Sequence, residues 1–345
     1  MAYYSGTATG PTDLLDKIRT ALVAEGWTEN DYSVDGTGYR LHVQKVAQSG
    51  GPTMYFNFRS AVDEYGSTIT EDNTNSDGLG NVTGILINGS TGYDGGEDWH
   101  TQPGYPQGYD NKSYASAMSE MSVSAIPAYY IFFMGDSVHI VVEVTSGKFQ
   151  MMSFGCLVKQ GAYTGGQYFS ASLSSRYPYK EYHDPSSNQY RYTPRYFTKP
   201  GYSGYYPSHG SVYVDADSDE RWRRSDYSNK EIQWQGVGGY ANSGDSYGRD
   251  MRMGLCSFFH GMSPNYYTNI AALCPVYVIL LRSDAENYSL LGWPEGVRFI
   301  NFTNYSAGQE VTHGTDTWKI FHANGSNEDS EYDNEYCGFA YLKEL

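Results

Sequence analysis

Residues 126–159 constrain the fold more than any other part of this chain. Residues 129–134, 138–144 and 149–158 form three apolar runs, each too short for a core helix. The first two are separated by Gly135-Asp136 and the last two by Ser146-Gly147. Runs rich in Val, Ile, Phe and Tyr, broken by two-residue Gly-containing turns, pair as consecutive antiparallel strands. The spacing predicts a three-stranded meander at the core of a first β domain.

Strand signals recur on both sides of it. Tyr39, Leu41 and Val43 alternate with Arg40, His42 and Gln44; Met54, Phe56 and Phe58 alternate with Tyr55, Asn57 and Arg59. A period of two predicts half-buried strands, one face on a core and one in water. Residues 84–87 run into Asn88-Gly89, a hairpin-type turn. Residues 63–77 and 88–112, rich in Gly, Asp, Asn and Pro, read as long loops. Toward the end of the chain, residues 275–281, 296–302, 317–321 and 338–341 read as buried strands. The period changes to a helical one only once. Leu14, Leu15, Ile18, Ala21 and Leu22 follow Gly10-Pro11-Thr12, Asp13 and Asp16 suit the positive end of the dipole, and Gly26 supplies a C-cap. Residues 1–10 read as a flexible arm.

The expectation is a mainly β (α+β) fold: antiparallel sheets or β-sandwich-like domains, one N-terminal amphipathic helix, and long Tyr/Gly-rich loops. Three regions follow, a helix plus antiparallel β domain over 1–171, an extended region over 172–250, and a β domain over 251–345. The middle region is distinct because aliphatic residues nearly vanish from it while tyrosine accumulates. Such a stretch cannot bury a large core of its own. The chain carries 35 tyrosines in 345 residues and is 16% aromatic, which argues against disorder. Tyrosine joins an apolar ring to a polar tip and suits interfaces. Tyr177, Tyr179, Tyr182, Tyr190, Tyr192, Tyr196, Tyr205, Trp222 and Trp234 are therefore the candidate interface residues. With the N-terminal arm they are expected to form obligate contacts well above ~2,000 Å².

Charge narrows the partners. At a formal net charge of −16 the chain is repelled by phosphate backbones and anionic lipid, so neither nucleic acid nor membrane is an expected partner. Arg221, Arg223 and Arg224 form one short basic cluster, read as a solvated face. The opening residues show no signal-peptide pattern, and no apolar run approaches the ~18 residues of a span. Cys156, Cys256, Cys274 and Cys337 lie far apart, without the spacing of a disulfide framework or zinc site, and read as buried thiols.

Several motifs invite a chemical reading. Gly135-Asp136-Ser137 resembles a block of a lipase-like hydrolase family, but Ser137 leads into a strand pattern where that chemistry needs a helix. Gly244-Asp245-Ser246-Tyr247-Gly248 matches a nucleophile elbow without its hydrophobic strand. Asp215, Asp217 and Asp219 have calcium-loop spacing, but Glu220 stands where the loop needs Gly. The group Asp94, Glu97, Asp98 and His100 lacks a second histidine at ligand spacing. His42 and His139, on strands, read as hydrogen-bonded structural residues. Trp99, Trp222 and Trp234 could stack on sugar rings. No enzyme activity, cofactor or metal is expected.

The series from Leu291-Gly-Trp-Pro-Glu-Gly-Val-Arg-Phe-Ile-Asn301 through Thr312-His-Gly-Thr-Asp-Thr-Trp-Lys-Ile-Phe321 to Gly338-Phe-Ala-Tyr-Leu-Lys343 is similar to the carboxy-terminal region of structural virion proteins of tailed bacteriophages and prophages. Ser146-Gly-Lys-Phe-Gln-Met-Met-Ser-Phe-Gly155, Tyr163-Thr-Gly-Gly-Gln-Tyr-Phe169 and the helix followed by Met54-Tyr-Phe-Asn-Phe58 resemble the same group. The resemblance implies an oligomeric structural component of the virion, at the neck or collar of the head–tail connection or in the tail. Its partners would be copies of itself and other head–tail or tail proteins. A baseplate or tail-fibre protein binding a host receptor or glycan is the weaker alternative.

Overall fold

The computed structural model describes residues 1–48, 50–65, 81–106, 115–119, 121–174, 212–216, 222–224, 232–234, 264–281, 288–322 and 337–345. They form a mainly β protein of four antiparallel sheets with one helix, Pro11–Ala24. The meander forms as expected, with strands Ile126–Met134, Ser137–Thr145 and Lys148–Cys156. Its turns place Gly135 at φ 53° and Gly147 at φ 76°, values that glycine reaches without steric cost.

The meander is the middle of a seven-stranded central sheet. Its order is Ala2–Ala8, Ile126–Met134, Ser137–Thr145, Lys148–Cys156, Gly165–Ala171, Val212–Ala216 and Trp222–Arg224. One element here departs from the sequence reading. Ala2–Ala8, expected as a flexible arm, is an edge strand paired with Ile126–Met134 from Ala2↔Phe133 to Ala8↔Ile126. Its neighbour supplies the ladder that its own composition does not announce. Val212–Ala216 and Trp222–Arg224 are short strands of the kind read for the excursion over 172–250, and they extend the same sheet at its other edge, ordered by this chain's own strand Gly165–Ala171.

The central sheet is buried on both faces, so its strands read as continuous apolar runs instead of alternating ones. Ile131, Phe133, Val138, Ile140, Val142, Met152, Phe154 and Phe169 face one core. There they meet the apolar face of the helix and of a six-stranded sheet, through Leu14, Ile18, Leu41, Phe56, Phe58 and Ile85. Phe132, Val141, Met151, Tyr168 and Val214 face a second core, closed by Val278, Leu291, Phe299, Phe321, Phe339 and Tyr341 of the C-terminal strands. A one-residue offset along each strand thus selects the core that a side chain enters.

The helix ends as Gly26 suggested. Gly26 N–H donates to Val23 O and Trp27 N–H to Leu22 O, the paired bonds of a Schellman motif, and Trp27 is buried beside Phe56 and Phe154. The six-stranded sheet runs Leu173–Ser174, Ser116–Met118, Asn81–Ser90, Thr53–Tyr65, Gly38–Val46 and Thr28–Asp35. Its outer face was expected to be wet, yet His42, Asn57, Arg59 and Ser90 are buried. Residues 91–106 cover part of it. Gln102 Nε2 donates to Asp94 O, Glu97 O and Asp98 O, and Trp99 packs with Ala61, Leu86 and Ala117. The expected turn at Asn88-Gly89 is absent, because Asn81–Ser90 stays paired with Thr53–Tyr65 through Phe56↔Gly89 and Tyr55↔Ser90.

The C-terminal strands form two sheets, one of five strands and one of four. The expected strand over residues 275–281 is divided between them. Cys274–Pro275 pairs with Val297–Asn301, whereas Val278–Leu281 pairs with Tyr288–Trp293 and Ile232–Trp234.

Candidate interaction surface

Most of the expected interface residues, Tyr177, Tyr179, Tyr182, Tyr190, Tyr192, Tyr196 and Tyr205, lie outside the described residues. Trp234 is placed only as a strand residue opposite Val278. Trp222 is used within the chain. Its ring meets Phe169 edge-on at 5.4 Å and Nε1 donates to Gly104 O at 2.8 Å. Trp99 is 2% exposed and presents no stacking face for a sugar.

Of the residues weighed for chemistry, Ser137, His139 and His42 are committed to packing. Ser137 begins a strand and is buried; its Oγ accepts the N–H of Glu295 at 3.1 Å. His139 is buried, and desolvation pushes its pKa down to about 4, so the ring is neutral. The network fixes its tautomer: Nε2–H donates to Glu295 O at 2.6 Å and Nδ1 accepts from Ser153 Oγ at 2.8 Å. Ser153 Oγ in turn lies 3.0 Å from Tyr168 OH. This string has the residue types of an acyl-transfer site, but its imidazole bonds to a backbone carbonyl and a serine, and His139, Ser153 and Tyr168 are fully buried. His42 Nδ1 lies 2.8 Å from Asn57 Oδ1, and burial lowers its pKa as well. Asp215 sits in a central-sheet strand, whereas Ser246, Asp217 and Asp219 lie outside the described residues. Among the described residues no cluster of three His, Cys, Asp or Glu is placed to hold a metal, and no helix is long and apolar enough to cross a membrane.

The feature that sequence reasoning missed is a small aromatic knuckle at residues 264–270. Tyr266 and Tyr267 are 94% and 92% exposed, and their rings meet edge to face at 5.6 Å. The backbone beneath them is fixed. Asn265 Oδ1 accepts the N–H groups of Tyr267 and Thr268, Asn265 N–H donates to Ile270 O, and Asn269 N–H donates to Asn265 O at 2.7 Å. Asn269 holds φ 56°, a left-handed conformation that asparagine tolerates. Its side chain accepts from Asn304 Nδ2 at 2.7 Å, and Tyr305 OH accepts from Ala271 N–H at 2.8 Å. Ala271 then enters a core with Met134, Ile300, Trp318 and Leu342. Two exposed rings on a rigid, anchored loop lose little entropy on contact, the property of an interface anchor.

A surface groove of about 370 Å³ lies elsewhere on the chain, at the start of the helix. Its walls include Pro11, Asp13, Asp16, the stacked pair Tyr32 and Tyr39 with centroids 5.0 Å apart, and the exposed Val123. Burial and the Asp16 carboxylate push the Tyr32 phenol up to about 12, so it remains a neutral donor.

No protein-family model and no curated protein sequence matches the chain.

Proposed function

We propose that this chain is a non-catalytic structural component of a tailed-phage virion, assembling with copies of itself and with head–tail or tail proteins at the neck, collar or tail. The observation that carries the reading is the Tyr266–Tyr267 knuckle, two large aromatic side chains held in solvent on a loop that the Asn265 side chain and backbone hydrogen-bond in place. A folded monomer gains nothing from leaving that much aromatic surface wet; a building block gains a preorganised contact. The sequence resemblance to virion structural proteins and the tyrosine-rich, aliphatic-poor middle of the chain support the same reading.

Purified particles and the isolated protein test it together. The chain is expected in particles at fixed stoichiometry by quantitative mass spectrometry, with localised density by imaging. A well-folded monomer absent from particles would overturn the proposal.

A further inference from the structure

We infer that copies of this chain associate head to tail, the Tyr266–Tyr267 knuckle of one copy seating in the Asp13/Asp16/Tyr32/Tyr39 groove of the next. The inference rests on the assembly reading above and names the contact. Three observations carry it.

The first is position. The groove and the knuckle lie toward opposite ends of the strand Ile126–Met134. At one end Ala8 pairs with Ile126, and the chain passes directly into Thr9 and Gly10 of the groove, which Val123 also lines. At the other end Met134 shares a core with Ala271, the root of the knuckle. A nine-residue strand separates such features by roughly 27 Å at ~3.3 Å per residue. A chain cannot fill its own groove across that span, and two different patches in contact generate a ring or a filament.

The second is chemical fit. The knuckle offers two phenol O–H donors and apolar ring surface. The groove offers carboxylates beside aromatic and valine surface, and its volume is at the small end of the ~300–1,000 Å³ typical of enclosing pockets, suited to one or two rings. Asp13 already accepts from Thr9 N–H and pairs with Lys17, and Asp16 pairs with Arg19, but a carboxylate has about four acceptor positions, so each keeps capacity for a phenol.

The third is charge. Two copies at −16 each repel one another. From Met253 to Leu281 the sequence contains no Asp, Glu, Lys or Arg, so the knuckle's own segment brings no like charge to an acidic groove.

Sedimentation velocity on the full chain tests the contact with two variants and their mixture. Tyr266→Ser/Tyr267→Ser removes the knuckle, and Val123→Arg places a long side chain in the groove; all three positions are more than half exposed, and circular dichroism checks that each variant folds. Wild-type protein is expected to sediment as species larger than the 38.6 kDa monomer, and each variant alone as monomer. An equimolar mixture has one intact knuckle and one intact groove per pair, and is expected to give a discrete dimer, about a twofold rise in mass, and nothing larger. A knuckle-less variant that keeps the wild-type distribution overturns this contact while leaving the assembly reading standing. Wild-type protein that stays monomeric at every concentration and is absent from particles overturns both.

Discussion

His139 Nε2 lies 2.6 Å from the carbonyl oxygen of Glu295, 156 residues further along the chain. Ser137, two positions earlier and therefore on the same face of its strand, accepts the N–H of the same Glu295. Two side chains of the central sheet thus clamp both backbone polar groups of one residue, at the turn between Tyr288–Trp293 and Val297–Asn301. This is the polar seam that fixes how the C-terminal strands lie on the second core. It satisfies groups that would otherwise be buried unpaired.

The buried His139 makes stability depend on pH with a defined sign. In the unfolded chain the imidazole takes a proton near its ordinary ~6.5, whereas the native ring refuses one until about 4. Between those values the unfolded state binds more protons, so stability falls as pH drops from 6.5 toward 4 and is level above about 7. His42, lowered by burial, adds in the same direction. Glu64 and Glu310 titrate below their ordinary value and contribute only at lower pH. Urea unfolding is expected to show a loss of about 1–2 kcal/mol between pH 6.5 and 5, with a shallower loss in His139→Gln. Equal slopes for the two proteins would show that His139 is not the titrating group.

Arg59 is buried beside Glu64, with Arg59 Nη1 2.7 Å from Glu64 Oε2 and Nε 2.9 Å from Asp35 Oδ2. Thr37 N–H also donates to Glu64 at 2.7 Å, so the cluster ties the turn after Thr28–Asp35 to the irregular register of Thr53–Tyr65. Removing Glu64 leaves the buried Arg59 with only the part-exposed Asp35 as counter-charge, a loss at the low end of the broken buried-pair range, about 3 kcal/mol. Glu64→Ala is expected to lose that much in urea unfolding, and Arg59→Met/Glu64→Leu to lose clearly less. A double variant as unstable as Glu64→Ala would mean that packing around the pair matters more than its charge.

The local signals in the sequence were reliable where local physics decides. The meander announced itself because its turns carry glycine where φ must be positive, and the helix because its apolar spacing and Gly26 agree. The misses came from distant partners. Tyr3 and Tyr4 read as part of a loose arm, yet they pack on Phe132 and Phe133. The alternation at Arg40, His42 and Asn57 correctly marks a polar face, but cannot reveal that residues 91–106 fold back over part of that sheet. Tyr266 and Tyr267 are one pair among 35 tyrosines. What sets them apart is the Asn265 and Asn269 bonding that holds them out, and that is visible only in three dimensions.

The edge strand Ala2–Ala8 protects its neighbour. Deleting residues 1–8 would uncover the ladder groups of Ile126–Met134, a strand with Tyr129, Tyr130 and Ile131 at its centre, and remove the Tyr4 O–H bond to Glu25 at 2.7 Å. Exposed apolar edges template pairing with other chains. The truncated protein is expected to be less stable and to form thioflavin-positive aggregates in light-scattering and dye assays. A soluble truncation with unchanged unfolding midpoint would mean that the strand is dispensable.

Gly89 and Trp222 form a specific long-range fit. A Cβ built on Gly89 would stand 2.3 Å from Trp222 Cη2 and 3.1 Å from Phe169 Cδ1, so the strand carries glycine to admit an indole 133 positions away, not to make a turn. Trp222 in turn holds the last central-sheet strand against residues 91–106 through its bond to Gly104 O. Gly89→Ala forces the ring outward and is expected to cost about 1–3 kcal/mol, the usual range for overpacking. Trp222→Leu alone loses ring burial and the Gly104 bond. In the double variant the methyl no longer meets the indole, so the combined cost is expected to fall about 1 kcal/mol or more short of the sum, the coupling of residues in direct contact. A double-mutant cycle in urea measures this. Additive costs would show that the two residues do not share that space.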